Sequence, residues 1–519
     1  MRLAGLALAL AFTATPLIGQ VTTSQYDNFR TGATLNEKIL TPQNVNTRQF
    51  GKLGAFKVDG AVYAQPLFVP GVEVAGKGTH DVIYVATEHD SVYAFDAEKP
   101  NDPPLWHVSF LNKARNVTVP SEDDVQCPFI RPEVGITSTP VIDLKSGTLY
   151  VLVRTKIRHT AGADEYLQHL HALAITTGEE KFGGPKLITA SVPGRGAGRT
   201  NREVAFDPLH ENPRAALTLA NNNVYLTWAS SCDVDPYHGW VIAYDPQTLA
   251  QKAVLNVNPD GSEGGIWLAD TGPAVDSEGN LYVPTGNGTF DATSGGRDYG
   301  DSVLKLDGSS LAVRDYFTPF DQADILAGDS DVGSSGPTLL PDQPGPHRHL
   351  LVQPTKHSVI YVIDRDQMGK FHAGSDAIPQ RIHMSGEGLG AMAYWNGHVY
   401  FATGNDFLRD YSLANGKLSP HSSSVNKFEM GATPSLSANG NKDAIVWAIS
   451  TKAWDGPDTT PAALYAYDAT KVGAPLYTSE QNAHRDRAGM ATRFVIPLVV
   501  NGRVYFGTRS EVEVYGLLK

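Results

Sequence analysis

The sequence predicts an all-β chain folded as an eight-bladed β-propeller of four-stranded blades, with the ring closed by an N-terminal strand. Three observations predict it. A motif of short runs recurs along the whole chain, each run is β-branched or aromatic and bounded by turn residues, and no stretch keeps a helical period. The first run of five units follows a small residue and Pro: Ala64-Gln65-Pro66, Ser138-Thr139-Pro140, Thr271-Gly272-Pro273, Ser335-Gly336-Pro337 and Ala432-Thr433-Pro434. The second carries Tyr (Val82-Ile83-Tyr84-Val85, Leu149-Tyr150-Val151, Val224-Tyr225-Leu226, Leu281-Tyr282-Val283, Val399-Tyr400-Phe401, Val504-Tyr505-Phe506). The third often ends in Asp (Asp96, Asp245, Asp307, Asp364, Asp468). Units begin near residues 61, 134, 212, 267, 331, 388, 430 and 490. A period of roughly 55–60 residues with about four strands each is that of propeller blades. The last unit offers three strands, and residues 50–58 supply the fourth, which removes a sheet edge open to aggregation. Two β-sandwiches are the competing architecture, but no Gly/Ser/Pro linker divides the chain.

Composition narrows the function. Lys and Arg number 42 against 55 Asp and Glu, a net charge of −13, which argues against a nucleic-acid partner. Two cysteines exclude a disulfide-built scaffold and a Cys₄ zinc site, and no Cys-x-x-Cys-His attaches a haem. Arg2, the apolar run Leu3 to Phe12 and the small residues after it have the pattern of a secretory leader. The expected organisation is a leader over 1–19, an arm over 20–49 and the propeller over 50–519. The mature protein is expected in the periplasm or secreted, with no transmembrane segment.

In a four-stranded blade, the loop between the second and third strands shares a face with the loop leading into the next blade. That face collects Cys127, Lys156, Cys232, Asp233, Asp235, Trp267, Asn287, Asp329, Asp331, Lys356, Glu387, Lys452 and Arg509. Trp267, Asp331 and Glu387 stand at equivalent positions, six residues before Pro273, Pro337 and Ala393. Lys156, Lys356, Lys452 and Arg509 make a local basic cluster suited to an anionic ligand. Asn287 with Asp233, Asp235 and Asp331 offers the hard oxygens that calcium prefers. Cys127 and Cys232 are expected to form a disulfide at the rim, closing a loop of about 105 residues.

With these motifs in place, residues 35–519 resemble the quinoprotein alcohol dehydrogenase superfamily, eight-bladed propellers that bind pyrroloquinoline quinone (PQQ). Leu40-Thr41-Pro42-Gln43-Asn44-Val45 is similar to that family's opening segment, and Tyr282-Val283-Pro284-Thr285-Gly286-Asn287-Gly288 to the stretch whose Asn ligates calcium. The resemblance implies that Asp331, or Asp329 if the register shifts by two, is the catalytic base. It further implies that Lys356 contacts the quinone oxygens and that Trp267 stacks on the ring, with Lys156 and Arg509 as further cofactor contacts. Where the family places a Glu calcium ligand, before Gly239-Trp240, this chain has Val234 flanked by Asp233 and Asp235.

The expected function is PQQ- and calcium-dependent oxidation of a small alcohol or sugar, with electrons passing to an external acceptor. One alternative is a non-catalytic propeller serving as a binding or scaffold module. Another is a polysaccharide hydrolase or lyase using Glu88, His89 or Glu387, since Glu88-His89-Asp90 is not explained by the resemblance.

Overall fold

A computed structural model describes residues 19–453 and 460–519. Nearly all of the expected leader, over 1–19, lies outside the described residues. The chain is an eight-bladed propeller, and the innermost strands of its blades are Leu67–Val74, Val141–Asp143, Thr218–Ala220, Ala274–Val275, Thr338–Leu339, Ala393–Trp395, Ser435–Asn439 and Leu498–Val500. The strand Phe50–Lys57 pairs antiparallel with Glu511–Leu517 and closes the ring in blade 8.

Blades are covered on both faces, so their middle strands are continuous apolar runs. Ser91–Asp96 and Val359–Asp364 are buried at every position. The core is a ring of seams between neighbouring blades. Val151 and Val153 of blade 2 meet Val82 and Tyr84 of blade 1, for example, and Val512 and Val514 of blade 8 meet Ile83 and Phe95 of blade 1.

The repeated Tyr and Asp have separate jobs. Tyr84, Tyr150 and Tyr400 donate their hydroxyls to Ile175, Pro246 and Ala469 carbonyls of the next blade at 3.0, 2.7 and 2.7 Å. Tyr225 and Tyr505 do the same to Gly308 and Ala97. Each of these five Tyr therefore pins its blade to a turn of the following one, whereas Tyr282 donates to Asp276 of its own blade at 2.8 Å. The repeated Asp accepts backbone N–H groups two or three residues on, as Asp245 does from Gln247 at 2.9 Å and Thr248 at 3.0 Å. It fixes the third-to-fourth turn as an Asx turn.

Residues 21–32 thread the inner rim. Val21, Thr22, Asn28, Phe29, Thr31 and Gly32 carbonyls accept N–H groups from the innermost strands of blades 1, 2, 4, 5, 6 and 7. Asn28 and Tyr26 side chains reach blades 3 and 8. Arg30 is wholly buried and donates to Pro273 O, Thr23 Oγ1, Ser24 O and Thr218 Oγ1. The segment thus packs the axis and touches every blade.

Blade 6 departs from the expected four strands. Its ladder has three, with a 17-residue strand His398–Ala414 and a 16-residue strand Lys417–Ala432. The first doubles back at Asn405 (φ 57), so that Leu413 N–H reaches Gly397 O at 2.7 Å.

Candidate functional site

The lead-in loops and the second-to-third loops enclose a cavity of about 290 Å³ on one face of the ring. One wall is apolar, from Val125, Phe129, Ile130 and Val134. The opposite wall carries Trp267, Asp329, Asp331 and Lys356.

Asp331 is 6% exposed and forms the centre of the polar wall. Its Oδ1 accepts the Asn287 N–H at 2.9 Å, and its Oδ2 lies 3.4 Å from Lys356 Nζ. Asp329 faces solvent and pairs with the same ammonium at 2.9 Å, while accepting Asn287 Nδ2 at 2.9 Å. Burial raises the Asp331 pKa, with the Asp329 charge adding to it and Lys356 and the Asn287 N–H opposing. Desolvation lowers the Lys356 pKa, but Asp331 and Asp329 outweigh it and the net shift is upward, so the side chain stays a cation. Below them Asp301 is wholly buried, and burial followed by the Asp331 charge holds its pKa well above the carboxylate range.

The backbone around this cluster is strained. Cys232, Asp233, Leu268, Ala269 and Asp329 all have left-handed φ, between 43 and 53°. Such conformations cost free energy in non-glycine residues, most of all at a bulky Leu, and they collect where geometry serves function. Gly286 lets the strands close up. A Cβ there would fall 2.3 Å from Asp331 Oδ1 and 2.8 Å from Trp267 Nε1.

Asp233 lines the same cavity and accepts the Tyr237 hydroxyl at 2.7 Å. Desolvation raises its pKa, and Asp331 and Asp329 contribute to the rise against the Tyr237 hydrogen bond. Glu263, absent from the sequence-based set, lies close enough to feel the same charges. Desolvation, then Asp235, Asp233, Asp331 and Asp329, raise its pKa to about 7. Its backbone bridges His238 and Gly288, so the lead-in loop of blade 4 brings a Glu near the place where the motif before Gly239-Trp240 lacks one. Asp235 is exposed and outside the cavity wall. Among the buried polar atoms with no hydrogen-bond partner are Asn212 Oδ1, Ser231 Oγ and Trp267 Nε1 of the cavity lining, and Oδ1 of Asn287, whose N–H binds Asp331. Orphaned buried polar atoms in a cavity wall are what a bound ligand would satisfy.

Cys127 and Cys232 form a disulfide that spans 105 residues and lines the cavity. Chain entropy puts such a cross-link at up to about 4–5 kcal/mol. It ties the lead-in of blade 2 to the second-to-third loop of blade 3.

The basic cluster is distributed differently from the expectation. Among Lys156, Lys356, Lys452 and Arg509, only Lys356 is in the cavity wall. Lys156 is buried between Asp124 at 2.6 Å and Asp164 at 2.9 Å. Lys452 lines a separate depression with Lys427, Glu429 and Glu480. Arg509 donates its N–H to Met490 O, away from the wall. The other cations of the wall are Arg214 and Arg493, with guanidinium carbons 4.0 Å above the Phe494 ring and 3.9 Å above the Phe129 ring. These stacked arginines come from the lead-in loops of blades 3 and 8. The blade 3 lead-in, Ala215-Ala216-Leu217, lacks the small-residue-Pro signal of blades 1, 2, 4, 5 and 7.

Glu88, His89 and Asp90 tie loops together. Glu88 is 1% exposed and accepts the Gly135 N–H at 2.7 Å, and His89 Nδ1 meets Glu133 at 2.7 Å. Asp90 is wholly buried, and burial, then Glu88 and Glu133, raise its pKa well above the usual range. Glu387 lines the cavity.

Comparison with solved structures identifies this architecture. A quinohemoprotein alcohol dehydrogenase from Pseudomonas putida HK5 superposes with a TM-score of 0.61 at 16% identity, covering 96% of this chain and 80% of that one. Another, from Comamonas testosteroni, gives 0.62 at 15%, covering 97% and 81%. A europium-containing methanol dehydrogenase gives 0.60 at 14%, covering 97% and 99%. The fold is that of the quinoprotein alcohol dehydrogenases. Neither a protein-family model nor a curated protein matches the chain. Among the described residues, no helix is long and apolar enough to cross a membrane.

Proposed function

We propose that the chain is an exported PQQ-dependent oxidoreductase acting on a small alcohol or sugar, with calcium as its metal. One observation carries this reading: Asp329, Asp331 and Lys356 converge beside Trp267 in a single cavity, Asn287 bonds both carboxylates, and the buried Asn287 Oδ1 and Trp267 Nε1 lack partners. The residues present fit the implied groups. Asn287 Oδ1 with the carboxylates of Asp331, Asp329 and Asp233 makes a hard-oxygen set, although a cation there shares Asp329 and Asp331 with the Lys356 ammonium. Trp267 offers an aromatic surface, and Arg214, Arg493 and Lys356 supply positive charge for an anionic quinone.

When bound, PQQ supplies the two-electron acceptor and calcium the Lewis acidity that polarises its carbonyl. Asp331 takes the hydroxyl proton of the substrate on a carboxylate oxygen, and its raised pKa makes it a stronger base than an exposed Asp. Lys356 places fixed positive charge where negative charge develops. The apolar wall of Val125, Ile130 and Val134 limits water around the reacting hydroxyl. Electrons leave to an external acceptor. The experiment that tests this reading is a dye-linked oxidation assay on a panel of alcohols and sugars, after loading with PQQ and calcium. Oxidation that depends on both additions is expected. Polysaccharide cleavage with no dye reduction would overturn the reading in favour of a hydrolase or lyase.

The cation affinity carries a pH signature. Below about pH 7 Glu263 is protonated, and above it the carboxylate adds negative charge beside Asp233, Asp331 and Asp329. Because its folded-state pKa is raised, ionising Glu263 disfavours the cation-free fold as pH rises from the unfolded value through about 7. A bound cation reverses that penalty. Calcium affinity is therefore expected to rise across this window, with proton release on binding, as isothermal titration in buffers of different ionisation enthalpy will read. A flat affinity from about pH 5.5 to 8 contradicts the placement of Glu263 in the cluster's field.

A further inference from the structure

The long hairpin of blade 6 gathers a second set of metal-ligand side chains, remote in the chain from the axial cluster. His398 Nδ1 lies 2.7 Å from Asp410 Oδ1, and His421 Nδ1 lies 2.7 Å from Asp410 Oδ2. The two imidazoles meet edge to face with centroids 5.0 Å apart. Among the described residues, this is the one set of three His, Cys, Asp or Glu whose ligand atoms all lie within 4.8 Å of one another. The Asp410 side chain is wholly buried, while His398 is 24% exposed and His421 42% exposed. The anionic ligand is therefore at the bottom, and an ion has a path from solvent past the two rings.

The backbone is irregular at this point. Asp410 pairs with Ser422 and Tyr411 with Pro420, so His421 is an extra residue in a bulge of the ladder. In a regular strand His421 and Ser422 would point to opposite faces. The bulge turns both onto Asp410 Oδ2, where the Ser422 hydroxyl donates at 2.9 Å. Ser422 orients the carboxylate as an outer partner orients a metal ligand.

We infer that His398, Asp410 and His421 form a binding site for a divalent transition-metal ion of the zinc class, distinct from the calcium site of the axial cavity. Two imidazole nitrogens and one carboxylate are a borderline-soft set that suits zinc and disfavours calcium, which takes only oxygens. The ion replaces the protons that the Nδ1 atoms share with Asp410, and a water completes the tetrahedron. It clips the hairpin 398–432 at the place where blade 6 lacks the regular four-strand ladder.

The test uses the full mature chain without a histidine tag, dialysed against chelator and titrated with zinc in excess calcium. Binding at one zinc per chain is expected, with a rise in the unfolding temperature that calcium alone does not give. Cobalt in place of zinc is expected to show the intense visible bands of a four-coordinate ion. His421→Ala, at an exposed position that leaves folding intact, should weaken zinc binding about 100-fold and abolish the thermal shift. Asp410→Asn should do the same to binding while keeping the hydrogen-bonded shape. Unchanged stoichiometry and affinity in His398→Ala/His421→Ala, or no zinc on the folded wild type, overturns the inference. None of these readouts depends on PQQ, so failure here is distinct from failure of the oxidoreductase reading.

Discussion

Asp331→Asn is expected to lower turnover by about 100-fold or more while PQQ uptake at saturating calcium changes far less. The substitution keeps the size of the side chain and an oxygen that accepts the Asn287 N–H, so the wall retains its shape. What it removes is the basicity that burial gives the carboxylate. Asp329→Asn is the informative control. Asp329 is 68% exposed and holds the Lys356 ammonium at 2.9 Å, so its loss should act chiefly on cofactor and metal affinity. Steady-state and single-turnover kinetics on both variants separate the roles. If Asp329→Asn loses turnover and Asp331→Asn retains it, the base is Asp329 and the register is the other of the two that the sequence allows.

Gly286→Ala is expected to be as damaging, through geometry alone. The added methyl group would sit 2.3 Å from Asp331 Oδ1 and 2.8 Å from Trp267 Nε1, well inside van der Waals contact. Both neighbours are fixed, Asp331 by Asn287 and Lys356, and Trp267 by the left-handed Leu268 and Ala269 that follow it. The carboxylate and the indole must move apart, and displacements of this size at a reacting centre cost about 100-fold. The cost falls on both KM and kcat, and a weakened PQQ titration should accompany it. Wild-type kinetics in this variant would show that Trp267 and Asp331 do not form one site.

The blades were legible because each is specified locally. Buried apolar runs, an Asp that turns the chain by capping its own backbone, and a Tyr that reaches the next blade all repeat in register. Blade 6 was less so, because its two long strands carry polar faces, and the return at Gly404-Asn405-Asp406 reads as an ordinary hairpin turn. The candidate site was legible where residues sit at the tip of a loop, as Asn287 and Lys356 do, or six residues before the Pro that precedes an innermost strand, as Trp267 and Asp331 do. Lys156 was harder to place. It lies on the strand Thr148–Ile157, whose pairing with Glu165–Ala174 continues past the rim, where Asp124 and Asp164 neutralise it. Arg214 and Arg493 escaped notice because their approach to the cavity rests on stacking over Phe494 and Phe129, a tertiary contact with no local signature. Glu263 escaped for the same reason, since it comes from a different loop than the missing Glu of the motif.

The most direct measurement is an equilibrium titration of the purified protein with PQQ in the presence of calcium, following quinone absorbance and Trp fluorescence. Saturable binding at one PQQ per chain is expected, with quenching of Trp267 and loss of binding in Lys356→Ala. Folded protein that binds no PQQ up to high micromolar concentration, with or without calcium, would contradict it and leave a propeller whose axial cavity serves another ligand.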